Sequence, residues 1–503
     1  MAITMGIDVG TQSTKVLLYD TDLKKILAKA QAGYDLLSRA DGSREQEASW
    51  WTQAILQCCS EMDPHLLSQV AAVGVSGQQH GFVPLSQEGQ VLYRVKLWCD
   101  TSTVAQCQEL TKNFGGEPRL LEGPGNLLLP GYTLPKILWF KQFEPALYQK
   151  MSTFALPHNY INFWLTGQIS MEYGDASGTG FLNIPTREWN MELLRLLDDK
   201  RDWKSFLPPL RPSHEPAGYV TPEAAGLLGL RPGIPVSSGG GDNMMGAIGT
   251  GCVRPGRVAL SLGTSGTLFT TANRPILDPQ GQVAAFCSST GGWLPLYCTM
   301  NCTVASELTR KLLNTNIAEL NRLAETVPAG SEGVLVFPFF NGERTPNLPY
   351  GKGTFWGLTP ETMTPAHLLR ASLEGAVYGL KMGLDAFTAL GLPVQEIRLT
   401  GGGSASSLWR QIVADILGFP VVCPSEQEAA CWGAALQAEW CRSCLEEPEL
   451  LSEQSVQERL FLLVDQHVAI DPSKKAFPSS APAYQSAYAT YLKILSVLSP
   501  LFQ

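Results

Sequence analysis

Two short Gly-Thr turns, half a chain apart, constrain this sequence more than any other feature. Thr4–Val9 reads as an apolar strand, Gly10–Ser13 as a turn, and Thr14–Asp20 as a second strand rich in β-branched and aromatic residues. Arg257–Leu262, Gly263–Ser265 and Gly266–Thr271 repeat that plan, and Thr264 follows Thr11 by 253 residues. Two such hairpins predict a duplicated domain. Strands alternate with helical patterns around them, at Gln46–Ser60, Thr133–Phe143, Pro365–Leu390 and Ser407–Leu417, so the expected class is α/β. The expected domains are residues 1–252 and 253–440, with an extension over 441–503 that ends in an amphipathic helix, Tyr484–Leu501. Two such domains are expected to flank a deep cleft, where ligands usually sit.

Composition removes several classes of partner. Net charge is −9 and no basic run is present, which argues against nucleic acid, whose binders neutralise phosphates with clustered Lys and Arg. The first residues carry Asp8 and Lys15 and alternate like a strand, unlike a secretory leader. No apolar run approaches the roughly 20 residues needed to span a bilayer. The expectation is a cytoplasmic protein with no membrane partner. Its twelve cysteines, at no framework spacing, are read as buried thiols.

No GxxxxGK[ST] loop occurs, so a nucleotide would need another cradle. Asp8-Val9-Gly10-Thr11-Gln12-Ser13 brings a carboxylate to a turn rich in backbone N–H groups and hydroxyls, a combination suited to a metal and phosphate. Read alone, it is also an ordinary hairpin with an Asp near its turn. Ser261–Thr267 offers the same turn chemistry without the acid. Gly239-Gly240-Gly241 lets a ligand approach the backbone, and Asp242 follows at an expected helix N-cap, where the ionised form should be favoured. Ser76–Gly81 places Gln79 and His80 at a strand end, with donors and acceptors for a polyhydroxyl ligand. Thr400–Ser404 ends a strand in three glycines, against which a flat base could lie.

Together these pieces resemble a carbohydrate kinase of the FGGY type, within the actin/hsp70-like ATPase superfamily. The most specific segment is Gly353–Leu358, followed by His367-Leu368 and Ala371-Ser372-Leu373-Glu374. The resemblance runs from Gly6 to about Trp440 and includes Ser76–Gly81, Leu97–Asp100, Pro130–Trp139, Gly239–Gly249, Ser261–Gly266 and the Glu343–Pro346 loop. It implies two ribonuclease-H-like domains that bind Mg-ATP and a sugar.

Carried over residue by residue, Asp242 would be the general base and Asp8 would support Mg²⁺. Gln79, His80, Asp242 and Asn243 would hold the sugar. Thr11, Ser13, Thr264 and Ser265 would line the phosphates, and Gly402, Gly403 and Ser406 would lie near the adenosine. The sugar-side motifs imply a ketose, D-xylulose first, with ribulose, sedoheptulose or gluconate as alternatives. Gln79 stands where many such kinases have Met, and Thr101-Ser102 where many have Gly-Arg. Dimers are common in the family, so a homodimer is the assembly to test for. From other classes, an ATPase switch of the actin type and a non-catalytic sugar sensor stay in view.

Overall fold

The computed structural model describes residues 2–448, 452–479 and 482–502, and its contacts divide the chain into two units. The first comprises Met1–Val253, Ala272–Pro295 and Glu428–Val468. Its central sheet is built from β1 (Ile3–Val9), β2 (Ser13–Asp20), β3 (Lys25–Gly33), β4 (Val70–Gly77), β5 (Pro216–Tyr219), β6 (Pro235–Ser237) and β7 (Gly240–Gly241). The order is β5-β6-β4-β1-β2-β3, with β7 also on β4. β1, β2 and β3 run antiparallel, and β1, β4 and β6 run parallel. Ile3, Met5, Ile7 and Val9 are all buried, so β1 is covered on the sheet's core side by apolar contacts.

Helices α1 (Ala48–Ser60), α2 (Thr133–Phe143), α3 (Pro157–Thr166) and α4 (Asp242–Thr250) belong to this unit. α3 starts with Pro157 and stops at the left-handed Gly167. A second apolar core, distinct from the sheet's, gathers Phe82, Leu134, Ile137, Phe140, Phe154 and Phe181. The excursion Ala272–Pro295 joins it: Asn126 donates to the Ala285 carbonyl at 2.6 Å and accepts the Ala285 N–H at 2.8 Å.

The second unit comprises Arg254–Thr271, Leu296–Gln427 and Ala469–Gln503. Its sheet contains β8 (Gly256–Leu262), β9 (Gly266–Thr270), β10 (Leu296–Thr299), β11 (Val394–Thr400), β12 (Val421–Pro424) and β13 (Ile470–Ala476), in the order β10-β9-β8-β11-β12-β13. Here too three antiparallel strands lead into two parallel pairings. The two hairpin turns are each closed by their glycine but differ in length: Gly10 N–H reaches the Ser13 carbonyl at 3.0 Å, and Gly263 N–H reaches the nearer Ser265 carbonyl at 3.2 Å. The duplication expected from the two Gly-Thr turns is therefore present in the topology. Helix α5 (Thr303–Leu312) packs on α6 (Pro365–Ala389), and α6 and α7 (Ser407–Leu417) pack on this sheet.

The contacts draw the domain line differently from a simple cut near residue 252. Helices α8 (Ala429–Glu446) and α9 (Glu453–His467) lie in the first unit, where α8 packs on β1, β4 and α4. The expected extension over 441–503 is thus split. Its last helix, α10 (Pro482–Leu498), belongs to the second unit, where Tyr491 stacks on Phe337 with ring centroids 4.5 Å apart.

Candidate active site

Within the first unit the sheet brings two acids from distant sequence to the same strand ends. Asp8 on β1 pairs with Ser76 on β4, and Ser76 pairs with Gly240 on β7, two residues before Asp242. Adjacent strands stand about 4.8 Å apart, so two rungs carry the chain from one acid to the other. Ser76 donates its hydroxyl to Asp8 Oδ1 at 2.7 Å. Burial raises the Asp8 carboxyl above its ordinary range, against the Ser76 hydrogen bond and the charge of Lys15, which itself pairs with Glu428.

Asp242 is the first residue inside α4, and Gly241 is the N-cap. This corrects the expected N-cap position and its electrostatic consequence. Burial and the nearby Asp8 charge push the Asp242 carboxyl up to about 7. Hydrogen bonding from the Asn243 N–H to Oδ1, at 2.8 Å, offsets only part of this. Desolvation thus outweighs the favourable helix terminus. The Asn243 side-chain amide donates to Asp242 Oδ1 at 3.1 Å and to Gln79 Oε1 at 2.8 Å. Asp242, Asn243 and Gln79 form one hydrogen-bonded group.

The glycine run ahead of Asp242 is braced from behind. Gln437 on α8 accepts the Gly239 N–H at 2.9 Å, donates to the Gly239 carbonyl at 3.0 Å and accepts the Ser237 hydroxyl at 2.8 Å. Gly239 has φ +71°, a conformation that favours glycine.

His80 is fixed on three sides. It adopts the left-handed region, φ +65°, and its ring Nδ1 lies 2.7 Å from the Gly178 carbonyl. Its own carbonyl accepts from Lys136 at 2.8 Å and from Thr133 at 3.2 Å. Its ring packs on Tyr132, with centroids 4.7 Å apart. Lys136 is wholly buried and also donates to the Gly131 carbonyl at 2.6 Å. Burial brings its ammonium down to about 7.

The Gly10–Ser13 turn is held by side chains. Thr11 Oγ1 accepts from Trp98 Nε1 at 2.9 Å and donates to Gln78 at 3.2 Å, and its carbonyl accepts from Gln46 at 2.7 Å. The Thr11 hydroxyl proton is thereby occupied. Ser13 Oγ accepts from Gln31 at 3.0 Å.

In the second unit, the Gly263–Ser265 turn sits at the start of α5. The Thr303 N–H donates to the Gly263 carbonyl at 3.0 Å, and the Cys302 N–H to that of Thr264 at 2.9 Å. Ser406 caps α7 through Trp409 N–H at 3.2 Å and donates to Asn321 at 2.6 Å. A Cβ on Gly402 would meet open space, whereas one on Gly403 would press on Leu262 and Trp409.

Sequence reasoning missed Lys136, Gln437, His158 and Asp175 as parts of this site. Lys136 lies inside the Pro130–Trp139 segment of the resemblance, but it and Gln437 act through hydrogen bonds to backbone groups distant in sequence, which no local pattern reveals. His158 and Asp175 pair at 2.7 Å in a fully buried position, 17 residues apart, with no turn signal to mark either.

Comparison with known proteins defines the class. The N-terminal domain of the FGGY family of carbohydrate kinases matches residues 3–249, and its C-terminal domain matches residues 258–441. The chain belongs to the FGGY family of carbohydrate kinases. It is 41% identical to the xylulose kinase of Haemophilus influenzae, over 98% of this chain and 99% of that protein. Two solved structures from Lactobacillus acidophilus, a ligand-bound xylulose kinase and a gluconate kinase, are each 25% identical with a TM-score of 0.89, over 100% of this chain and 99% of theirs. Among the described residues, no helix is long and apolar enough to cross a membrane.

Proposed function

We propose that this kinase transfers the γ-phosphoryl group of ATP to D-xylulose, giving D-xylulose 5-phosphate and ADP, in the cytoplasm. The observation that carries the mechanism is the Asp242 carboxylate: half-buried, hydrogen-bonded to Asn243, and raised to about 7. Asp242 takes the proton of the accepting hydroxyl while that oxygen bonds to the γ-phosphorus and the bridging oxygen leaves with ADP. Phosphoryl transfer asks little of a base beyond orienting the hydroxyl and accepting a late proton, so a carboxyl near 7 suffices. Gln79, His80 and Asn243 hold the sugar. The identity to the Haemophilus influenzae enzyme supports xylulose as that sugar.

Asp8 fits a role in holding Mg²⁺. Its carboxylate sits close enough to Asp242 to raise it, and a cation would relieve that repulsion. Among the described residues no three ligating side chains form a cage. That matches Mg²⁺, which usually takes one or two carboxylates and completes its shell with water and phosphate oxygens. The ion would neutralise phosphate charge.

Thr11 and Ser13, and Thr264 and Ser265, would face phosphates mainly through backbone N–H groups, because the Thr11 hydroxyl is already committed. Gly402 and Gly403 would lie along the adenosine with Ser406 shaping the loop. The expected assembly is a homodimer, tested by light scattering.

The deciding experiment is turnover on a panel of D-xylulose, D-ribulose, sedoheptulose and D-gluconate at fixed ATP and Mg²⁺. D-xylulose should give the highest kcat/KM, and chelation of Mg²⁺ should abolish turnover. Asp242→Ala should lower kcat by about 10³-fold while ATP still binds. Higher kcat/KM for gluconate would move the substrate assignment, and near-normal turnover in the variant would remove the base.

A further inference from the structure

The Gly10–Ser13 turn is open to solvent: Gln12 is exposed, and Gly10, Thr11 and Ser13 are half-buried. Its carbonyls are nonetheless all taken by the protein. That of Gly10 accepts from the Tyr34 hydroxyl at 2.6 Å and from Gln78 Nε2 at 3.3 Å. That of Thr11 accepts from Gln46 Nε2 at 2.7 Å. The Gln12 carbonyl takes the Tyr34 N–H at 3.1 Å, and the Ser13 carbonyl takes that of Gly10 at 3.0 Å.

Gln46 ends the short strand Arg44–Gln46 and is fully buried. Its Nε2 also donates to the Asp35 carbonyl at 3.0 Å, and its Oε1 accepts from Trp51 Nε1 and from Gln78 Nε2, each at 3.0 Å. An amide with both donors and both acceptor positions filled has nothing left for a substrate. What it can do is fix the turn. The peptides of this turn are trans, and a trans peptide points its carbonyl and the following N–H in opposite directions. Gln46 holds the Thr11 carbonyl on the buried side, so the Gln12 N–H points away from it. Tyr34 and the buried Gln78 hold the Gly10 carbonyl, so the Thr11 N–H points away as well. Successive N–H groups on the open side of a turn make a concavity for an anion.

We propose that Gln46 and Tyr34 are positioning residues for the nucleotide: by holding the Thr11 and Gly10 carbonyls, they aim the Gln12 and Thr11 N–H groups at the phosphates of ATP. The inference rests on the functional reading, in which ATP is the donor and this turn meets its phosphates. Hydrogen bonds from N–H to phosphate oxygen are charge-assisted, and they weaken steeply when misaligned. Loss of a clamp therefore weakens ATP and spares a nucleoside that has no phosphate.

Tyr34→Phe and Gln46→Met test this, by calorimetric titration of Mg-ATP and NMR titration of adenosine. Tyr34→Phe deletes one hydroxyl and keeps the ring. Gln46→Met keeps the side-chain length and removes the donor to Thr11. Wild-type protein is titrated first, and failure to bind ATP strikes the functional reading and this inference with it. Given wild-type binding, Kd for ATP should rise about threefold or more in Tyr34→Phe and about tenfold or more in Gln46→Met, with Kd for adenosine unchanged in both. An unchanged Kd for ATP in either folded variant, or a parallel loss of ATP and adenosine, overturns the assignment while leaving the kinase reading intact. Should Gln46→Met fail to fold, Tyr34→Phe decides alone by the same criterion.

Discussion

Gln437 grips Gly239 by both backbone groups, accepting a hydrogen bond from its N–H at 2.9 Å and donating one to its carbonyl at 3.0 Å. The amide thus replaces a strand neighbour for the glycine run that delivers Asp242. Gln437→Leu would leave both backbone groups of Gly239 buried and unpaired. Each costs about 1–3 kcal/mol, so the variant should lose about 2–6 kcal/mol of stability in the first unit. It should also lose kcat, since the base drifts. Urea denaturation and steady-state kinetics check the two effects, and a variant with normal kcat would show that Asp242 is held from elsewhere.

The pH dependence of the reaction should report Asp242. Below about 7 its carboxyl is protonated in the free enzyme and cannot accept the hydroxyl proton. The kcat/KM profile should therefore fall with decreasing pH, by about tenfold per unit at the acid limit. A flat profile between pH 5 and 8, taken from roughly that interval around the raised value, would contradict this role.

The same carboxyl should cost stability. Its folded-state value lies above the unfolded one, so the native chain binds the extra proton between the two. Stability then declines as pH rises from about 4 to 7, by on the order of 4 kcal/mol in the ligand-free protein. Asp242→Asn removes the half-buried charge. It should melt several degrees above wild type at pH 8 and close to wild type near pH 4, by thermal scans of the ligand-free forms. A variant no more stable than wild type at pH 8 would show that Asp242 carries little desolvation penalty.

Lys136 should matter to sugar affinity more than to chemistry. It clamps the carbonyl of His80, a residue in a left-handed conformation that few side chains adopt unaided. Lys136→Met should raise KM for the sugar by about tenfold with a smaller change in kcat, since a misplaced binding group weakens the complex before it affects proton transfer. The kinetic split distinguishes this from global damage.

Glu374 is the last acid of the most specific family segment, yet it supports the fold. It is buried, pairs with Arg370 at 2.6 Å and accepts from Ser331 at 2.9 Å and Gly330 N–H at 3.2 Å. Arg370 in turn bonds Tyr484 on α10. Glu374→Ala strands a buried guanidinium and should cost about 3–5 kcal/mol. Loss of the second unit's cooperative transition in denaturant, with the first unit's retained, is the expected signature.

Much of this was legible in sequence because the signals were local. Ser407–Leu417 carries apolar spacing and a glycine stop, Thr133–Phe143 is an apolar run that ends before Glu144-Pro145, and both occur with those bounds. The Gly10 and Gly263 turns announced the duplicated sheets. What stayed hidden depends on contacts across long separations. Asp242 looked like an N-cap because three glycines precede it, but Gly240–Gly241 continue as a strand on β4 and carry the cap one residue earlier. Nothing local marks Ala272–Pro295 as part of the first unit, since its bonds go to Asn126. The expectation of an ionised Asp242 weighed the helix terminus and could not weigh burial, which only the packed structure supplies.

The seating of α8 reaches beyond the finished fold. A Cβ on Gly6 would run into the Cys431 carbonyl, one on Gly74 into that of Ala434, and one on Gly433 into that of Met245. Strand β1 thus receives its closest neighbour from residues 425 positions further along the chain. On the ribosome, the first half must wait with one face of its sheet uncovered until α8 emerges, so a nascent chain arrested shortly before residue 429 should be sensitive to protease and recruit chaperones.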